Sequence, residues 1–152
     1  FGMDVVCWSP NMTTERAKAV NCEYVPLDTL LQTSKIVSLH LVVSQNTKGL
    51  INLERLQLMR TDSVLVNTAR SALIVTADLI EALKMGRPGK AALDVFDMEP
   101  IPMDSPLRYA PNLLMSPHLG FIAEPILSSF ANGMVDSLTA WLDGKPVPLP
   151  FK

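Results

Sequence analysis

Short runs of aliphatic and β-branched residues recur along this chain, and most of them are separated by stretches with helical spacing. That alternation constrains the fold more than any other feature, because strands joined through crossover helices pair in parallel. The apolar runs are largely continuous, as in Val64-Leu65-Val66, which is what strands covered on both faces require. The fold class read from this pattern is α/β, a doubly wound parallel sheet. Strands are expected over 4–8, 23–25, 35–40, 63–67, 91–95 and 113–115. Thr13 or Thr14 can cap a helix through Val20, and Pro26 opens one over 27–32. Asn52 caps a helix through Met59, and Thr76 caps 77–85 with Gly86 in the position that favours glycine. A long helix over 124–142 is stopped by Gly144 and Pro146, and a proline-rich tail is expected to be extended. The expected organisation is one domain over 1–144 and a tail over 145–152.

A hydrophobic share of 48% with 18% charged residues excludes a disordered chain. A net charge of −2 gives no electrostatic footprint for nucleic acid. No apolar run approaches the roughly 18 residues of a membrane span, so no membrane partner is expected. Cys7 and Cys22 match no zinc or CxxC spacing, and no metal site is expected. They read as reduced, partly buried thiols, which fits a cytoplasmic location.

Three residues stand at or just after the C-terminal ends of expected strands: Arg70 in Asn67-Thr68-Ala69-Arg70, Glu99 in Met98-Glu99-Pro100, and His118 in Ser116-Pro117-His118-Leu119-Gly120. In an open parallel sheet that edge is where ligands bind. A fixed cation, a carboxylate and an imidazole gathered there suit acid–base chemistry on a small anionic substrate. Taken singly, each has a plainer reading. His118 could be a turn histidine, Arg70 a solvated charge, and Glu99 a loop carboxylate. Asp94, which ends an apolar strand, is harder to dismiss because a carboxylate is costly to bury without a partner. His40 reads as structural, and Trp141 and Phe151 as packing residues.

These segments, with Val37-Ser38-Leu39-His40, Thr47-Lys48-Gly49-Leu50-Ile51-Asn52 and Ala92-Leu93-Asp94-Val95-Phe96, make the chain resemble the D-isomer-specific 2-hydroxyacid dehydrogenases. Arg70 and Glu99 are 29 residues apart, and Glu99 and His118 are 19 apart, which also suits that family. The resemblance implies a Rossmann-like nucleotide domain that is incomplete at its N-terminal side. No GxGxxG turn can be drawn from the glycines present, and no substrate domain is visible. It implies an NAD- or NADP-dependent oxidoreductase passing hydride to or from C2 of a small 2-oxo or 2-hydroxy acid, and a homodimeric parent. His118 would be the general acid/base, an imidazole with an ordinary pKa of about 6.5. Glu99 would stabilise its charged form, and Arg70 would grip the substrate carboxylate in a two-pronged contact. Cofactor contacts would fall on Ser9, Pro10, Val42, Thr47, Thr68, Ala69, Arg70, Asp94, His118 and Gly120. Neutral Ser9 stands where NAD-preferring members carry an acid that repels a 2′-phosphate, so either nucleotide remains open. Val42 replaces a usual proline, and Ser71 a common glycine. An alternative reading is a non-enzymatic nucleotide-sensing or co-repressor-like module on the same fold. The resemblance also leads to the expectation that this chain alone is an inactive, unstable monomer, because a central strand of the family's sheet is not in it.

Overall fold

A computed structural model describes residues 2–147. Residues 148–152 of the expected tail, Phe151 among them, lie outside the described residues. The chain divides into two compact units, Phe1–His118 and Leu119–Lys152. The domain expected over 1–144 thus holds the first unit whole and most of the second.

The first unit alternates strand and helix as the sequence pattern requires. Its elements are β1 (Val6–Cys7), α1 (Thr14–Lys18), β2 (Glu23–Tyr24), α2 (Leu27–Thr33), β3 (Ile36–Leu39), α3 (Leu53–Leu58), β4 (Val64–Asn67), α4 (Thr76–Lys84), β5 (Lys90–Leu93) and β6 (Leu113–Met115). Thr13 caps α1 by accepting from the Arg16 amide, and Asn52 caps α3 by accepting from the Arg55 amide. Thr76 does not cap α4. Val75 takes the cap position and Thr76 is the first helical residue, its hydroxyl donating instead to Asp97 Oδ2 at 2.5 Å. Two 3-10 turns that the helical period does not reveal, Ser71–Leu73 and Pro106–Tyr109, follow β4 and precede β6.

Among the described residues all strand pairs are parallel, but they form two sheets: β1-β2, and β3-β4-β5-β6 in sequence order. In the larger sheet the register lines up Leu39, Asn67, Leu93 and Met115 across the C-terminal edge. Gly89 permits the entry to β5, since a Cβ there would run into the Thr61 carbonyl. The core lies on one face of this sheet, where Val37, Leu39, Leu65, Ala91 and Leu93 meet Leu31 of α2, Leu56 of α3, and Leu79 and Leu83 of α4.

The expectation of strands covered on both faces therefore needs correction. Burial alternates along β3, β4 and β5. Ile36 is 57% exposed and Leu114 is 70% exposed. The physical reason is the period of two in an extended chain: residues flanking each buried position point away from the face that the helices cover. Except for β6, the strands are also shorter than expected, so that Asp94 and Val95 fall past the end of β5 in the loop.

The second unit contains α5 (Glu124–Leu142), with the expected bounds, and a tilted contact between Phe121 and Phe130. Gly144, at φ +68, follows its end in the left-handed conformation that glycine adopts without strain. Trp141 is 67% exposed rather than packed.

Candidate active site

The aligned row at the edge of the larger sheet determines what emerges from it. Asn67, Leu93 and Met115 end neighbouring strands. The loops that follow carry Arg70, then Asp94 and Glu99, then His118. The edge is stitched beyond the strands, with the Asp94 amide donating to the Asn67 carbonyl at 3.0 Å and the Ser116 amide to the Leu93 carbonyl at 2.9 Å.

His118 and Glu99 meet directly. Nδ1 of His118 lies 2.7 Å from Glu99 Oε2. The other carboxylate oxygen, Oε1, accepts from the Phe96 amide at 2.9 Å. The carboxylate is thus held between an imidazole and a main-chain donor. Those bonds, the imidazole's foremost, keep the Glu99 carboxyl below its ordinary titration range. The side chains remain partly open, 42% exposed for His118 and 37% for Glu99. His118 stands at φ +56, in the left-handed region. A non-glycine residue there stores backbone strain. A cleft of about 500 Å³ opens beside the pair, lined among others by Glu99, Arg108, Met115, Ser116 and His118.

Arg70 is on the same edge but is not drawn into this pair. Its guanidinium Nη1 donates to the carbonyl of its own neighbour Ala69 at 2.6 Å, and the side chain is exposed. The loop carrying it is shaped by Asn67, a fully buried residue. Asn67 Nδ2 donates to the Arg70 carbonyl at 2.9 Å, and its Oδ1 accepts from the Ala69 amide at 3.1 Å. The sequence reading gave Asn67 no role. Its signal was an asparagine closing an apolar run, since that side chain can bond the backbone just beyond it. Arg108 was also missed. It stands in the 3-10 turn before β6, its Nε and Nη2 donating to the carbonyls of Pro102 and Ile101.

The remaining expected contacts are dispersed. Ser9 and Pro10 follow β1 in a turn closed by the Met12 amide on the Ser9 carbonyl. Val42 is 84% exposed, whereas Thr47 is buried and spends its hydroxyl on the Val42 carbonyl at 2.7 Å and the Ser44 amide at 2.7 Å. Thr68 is exposed and Ala69 half-buried. Asp94 is 5% exposed at the end of β5. Gly120 belongs to the second unit. His40 bonds Ser38 Oγ through Nε2 at 2.8 Å. Among the described residues no group of His, Cys, Asp and Glu is arranged to hold a metal ion, and no helix is long and apolar enough to cross a membrane.

Residues 1–120 match the family model described as D-isomer specific 2-hydroxyacid dehydrogenase, NAD binding domain. The chain belongs to that family. It is 35% identical over 148 residues to a glyoxylate reductase of Korarchaeum cryptofilum, covering 97% of this chain and 45% of that protein. It is 36% identical over 127 residues to a hydroxypyruvate reductase of Blautia hydrogenotrophica, covering 84% and 39%. Among solved structures, a D-isomer specific 2-hydroxyacid dehydrogenase from Xanthobacter autotrophicus Py2, in complex with NADPH and MES, superposes with a TM-score of 0.71 at 36% identity, over 96% of this chain and 60% of that one. The chain spans less than half the length of the two curated relatives. The dehydrogenase resemblance read from the motifs and the Rossmann-like fold are both borne out.

Proposed function

We propose that this chain contributes the nucleotide-binding and proton-transfer half of an enzyme that interconverts small 2-oxo and 2-hydroxy acids with NAD or NADP. The observation that carries the reading is the 2.7 Å contact between His118 Nδ1 and Glu99 Oε2 at the sheet's C-terminal edge. An ionised Glu99 fixes the imidazole's orientation. With Nδ1 committed to Glu99, Nε2 is the nitrogen assigned to exchange a proton with the substrate's C2 oxygen. Arg70, whose loop leaves the adjacent strand, is assigned to the substrate carboxylate, since a guanidinium grips a carboxylate bidentately. Adopting that grip requires it to release the Ala69 carbonyl.

The chain's donors fit a nicotinamide nucleotide. The edge of β3–β6 presents the exposed Thr68 and half-buried Ala69, and buried Asp94 offers a carboxylate beside the reacting pair. When bound, the nucleotide supplies the hydride. Asp94 is assigned to the nicotinamide carboxamide, and Thr68, Ala69, Val42 and Gly120 to backbone and van der Waals contacts. Thr47 acts by closing the loop over 42–47. Ser9 and Pro10, both uncharged, carry no repulsion against a 2′-phosphate, so either nucleotide is accepted at that end. The reading includes a homodimeric parent acting in the cytoplasm on a small-molecule substrate, without nucleic acid or membrane partner. The two free thiols are compatible with that compartment.

The test is reduction of glyoxylate and hydroxypyruvate by the intact protein that carries this chain, followed through nicotinamide absorbance with NADH and with NADPH. His118→Asn is expected to lower kcat by about 10²–10⁴-fold while nucleotide binding is kept. Turnover unchanged in that variant, or intact protein that binds neither nucleotide, would overturn the reading.

A further inference from the structure

Glu99 stands on a stretch of chain that packing does not hold. Val95 and Phe96 before it are buried, and Ile101 after it packs against the core. Residues 97–100 between them are exposed. A carboxylate on such a bridge keeps one position only where bonds fix the bridge at its ends. Both ends are bonded. Ahead of Glu99, Asp97 Oδ2 accepts from the hydroxyl of Thr76, the first residue of α4, at 2.5 Å. Beyond Glu99, the carbonyls of Ile101 and Pro102 accept from Nη2 and Nε of Arg108 at 2.9 and 2.8 Å. Arg108 is itself anchored. It follows buried Leu107 in the 3-10 turn Pro106–Tyr109, and its amide donates to the Ser105 carbonyl at 3.1 Å. Its planar guanidinium presents its N–H groups in a fixed fork, which a lysine ammonium on a flexible stem does not. Both acceptors are main-chain carbonyls, so the grip sets the path of the loop.

We propose that Arg108 is a positioning residue for the acid–base pair: by gripping the Ile101 and Pro102 carbonyls it holds the Glu99 loop where the carboxylate meets His118. It acts through Glu99. When the two carbonyls shift, Glu99 moves with them and its 2.7 Å contact with His118 Nδ1 lengthens. The Phe96 amide still holds Glu99 Oε1 at 2.9 Å, so the displacement is partial. Arg108 also lines the cleft beside the pair, which gives a direct contact with substrate as the rival role. The two roles differ in what they change. A positioning residue alters the proton transfer, whereas a substrate-binding residue alters KM. The consequence for turnover rests on the proposed function; the placement of Glu99 by Arg108 does not.

The experiment uses the intact protein that carries this chain. Arg108→Met removes the donors and keeps an apolar stem. Arg108→Lys keeps the charge without the fork, and it decides where the methionine variant fails to fold. In glyoxylate reduction kcat is expected to fall by about 10–10²-fold in Arg108→Met, the scale of a small misplacement of a catalytic group. The fall is expected to be smaller in Arg108→Lys, with KM for glyoxylate and nucleotide affinity near wild type in both. The same changes are then made in Glu99→Gln. Residues acting through one path are not additive, so the Arg108 changes are expected to cost far less there. An equal cost in both backgrounds, the mark of a merely structural role, would overturn the proposal. So would a rise in KM with kcat kept. A second readout needs no turnover: the carbon-13 midpoint of the Glu99 carboxyl is expected to rise toward 4.5 in both variants as the His118 contact loosens. An unmoved midpoint would also overturn the proposal. Wild-type protein without turnover would sink the dehydrogenase reading alone, and the Glu99 midpoint would still decide this one.

Discussion

The two parallel sheets of the first unit are built from similar apolar runs, yet they hold their side chains very differently. In β3, β4 and β5, alternate residues are buried under α2, α3 and α4, and Leu65 is completely shielded. In β1 and β2 nothing is fully buried, and the neighbouring α1 contributes one buried residue, Ala17. Apolar composition specifies a strand in both places. Coverage by three packed helices, which composition does not report, separates a core from a ladder. The bonded pair His118–Glu99 grows from the well-packed sheet. The turn assigned to the ribose end of the nucleotide, Ser9-Pro10, grows from the thin one. The proton transfer proposed above would thus stand on the better-packed element.

The contrast is broken most forcefully by truncating one residue in each sheet. Leu65→Ala in β4 removes a fully buried side chain and leaves a cavity, with an expected loss of about 2–5 kcal/mol in urea unfolding. Val6→Ala in half-buried β1 removes fewer shielded atoms, with an expected loss of about 1 kcal/mol or less. Equal losses would mean that the smaller sheet is packed as tightly as the larger.

A smaller effect sharpens the comparison at the site. Asn67→Ala leaves the Ala69 amide and the Arg70 carbonyl without their shared partner. The Arg70 carbonyl keeps the Leu73 amide at 3.3 Å, so the loss is partial and the expected cost is about 1–2 kcal/mol. The same change loosens the loop of Arg70 while leaving the Glu99–His118 contact in place. In the intact protein KM for the 2-oxo acid is therefore expected to rise more than kcat falls. A fall in kcat alone would mean that Asn67 supports the acid–base pair rather than the substrate grip.

The sequence was most legible where local chemistry decides the outcome. The bounds of α5 and β6, the caps Thr13 and Asn52, and the placement of Arg70, Glu99 and His118 at one edge all follow from periodicity, capping and the topology of parallel sheets. What escaped depends on long-range contact. Thr76 reads as a cap, but Asp97, 21 residues away, takes its hydroxyl. Continuous apolar runs read as covered strands, but only the tertiary stack reveals that α2, α3 and α4 gather over alternate residues. Asn67 and Arg108 were silent because their roles are bonds to loop carbonyls and amides whose positions exist only after the strands align. Arg70, Glu99 and His118 were grouped by their places at strand ends, and the structure divides that group into a bonded pair and an arginine resting on its own neighbour.

The subtlest test concerns that bonded pair and its dependence on pH. The Glu99 carboxyl titrates below its ordinary value of 4.5 in the folded chain, because ionised Glu99 accepts from His118 and from the Phe96 amide. The sign follows from linkage: a carboxyl depressed by folding contributes stability above its unfolded value, and that contribution is lost as pH falls through the lower folded value. Both side chains are more than a third exposed, so water screens the pair and the effect on stability is small. Wild-type chain is therefore expected to lose a slight advantage over Glu99→Gln as pH drops below about 4.5, with the two curves parallel at neutral pH. The carbon-13 shift of the Glu99 carboxyl, followed through the same range by NMR, reports the group itself. A midpoint at or above 4.5 would show that the carboxylate is not held by its two donors, and the ionised Glu99 that orients His118 in the proposed mechanism would lose its basis.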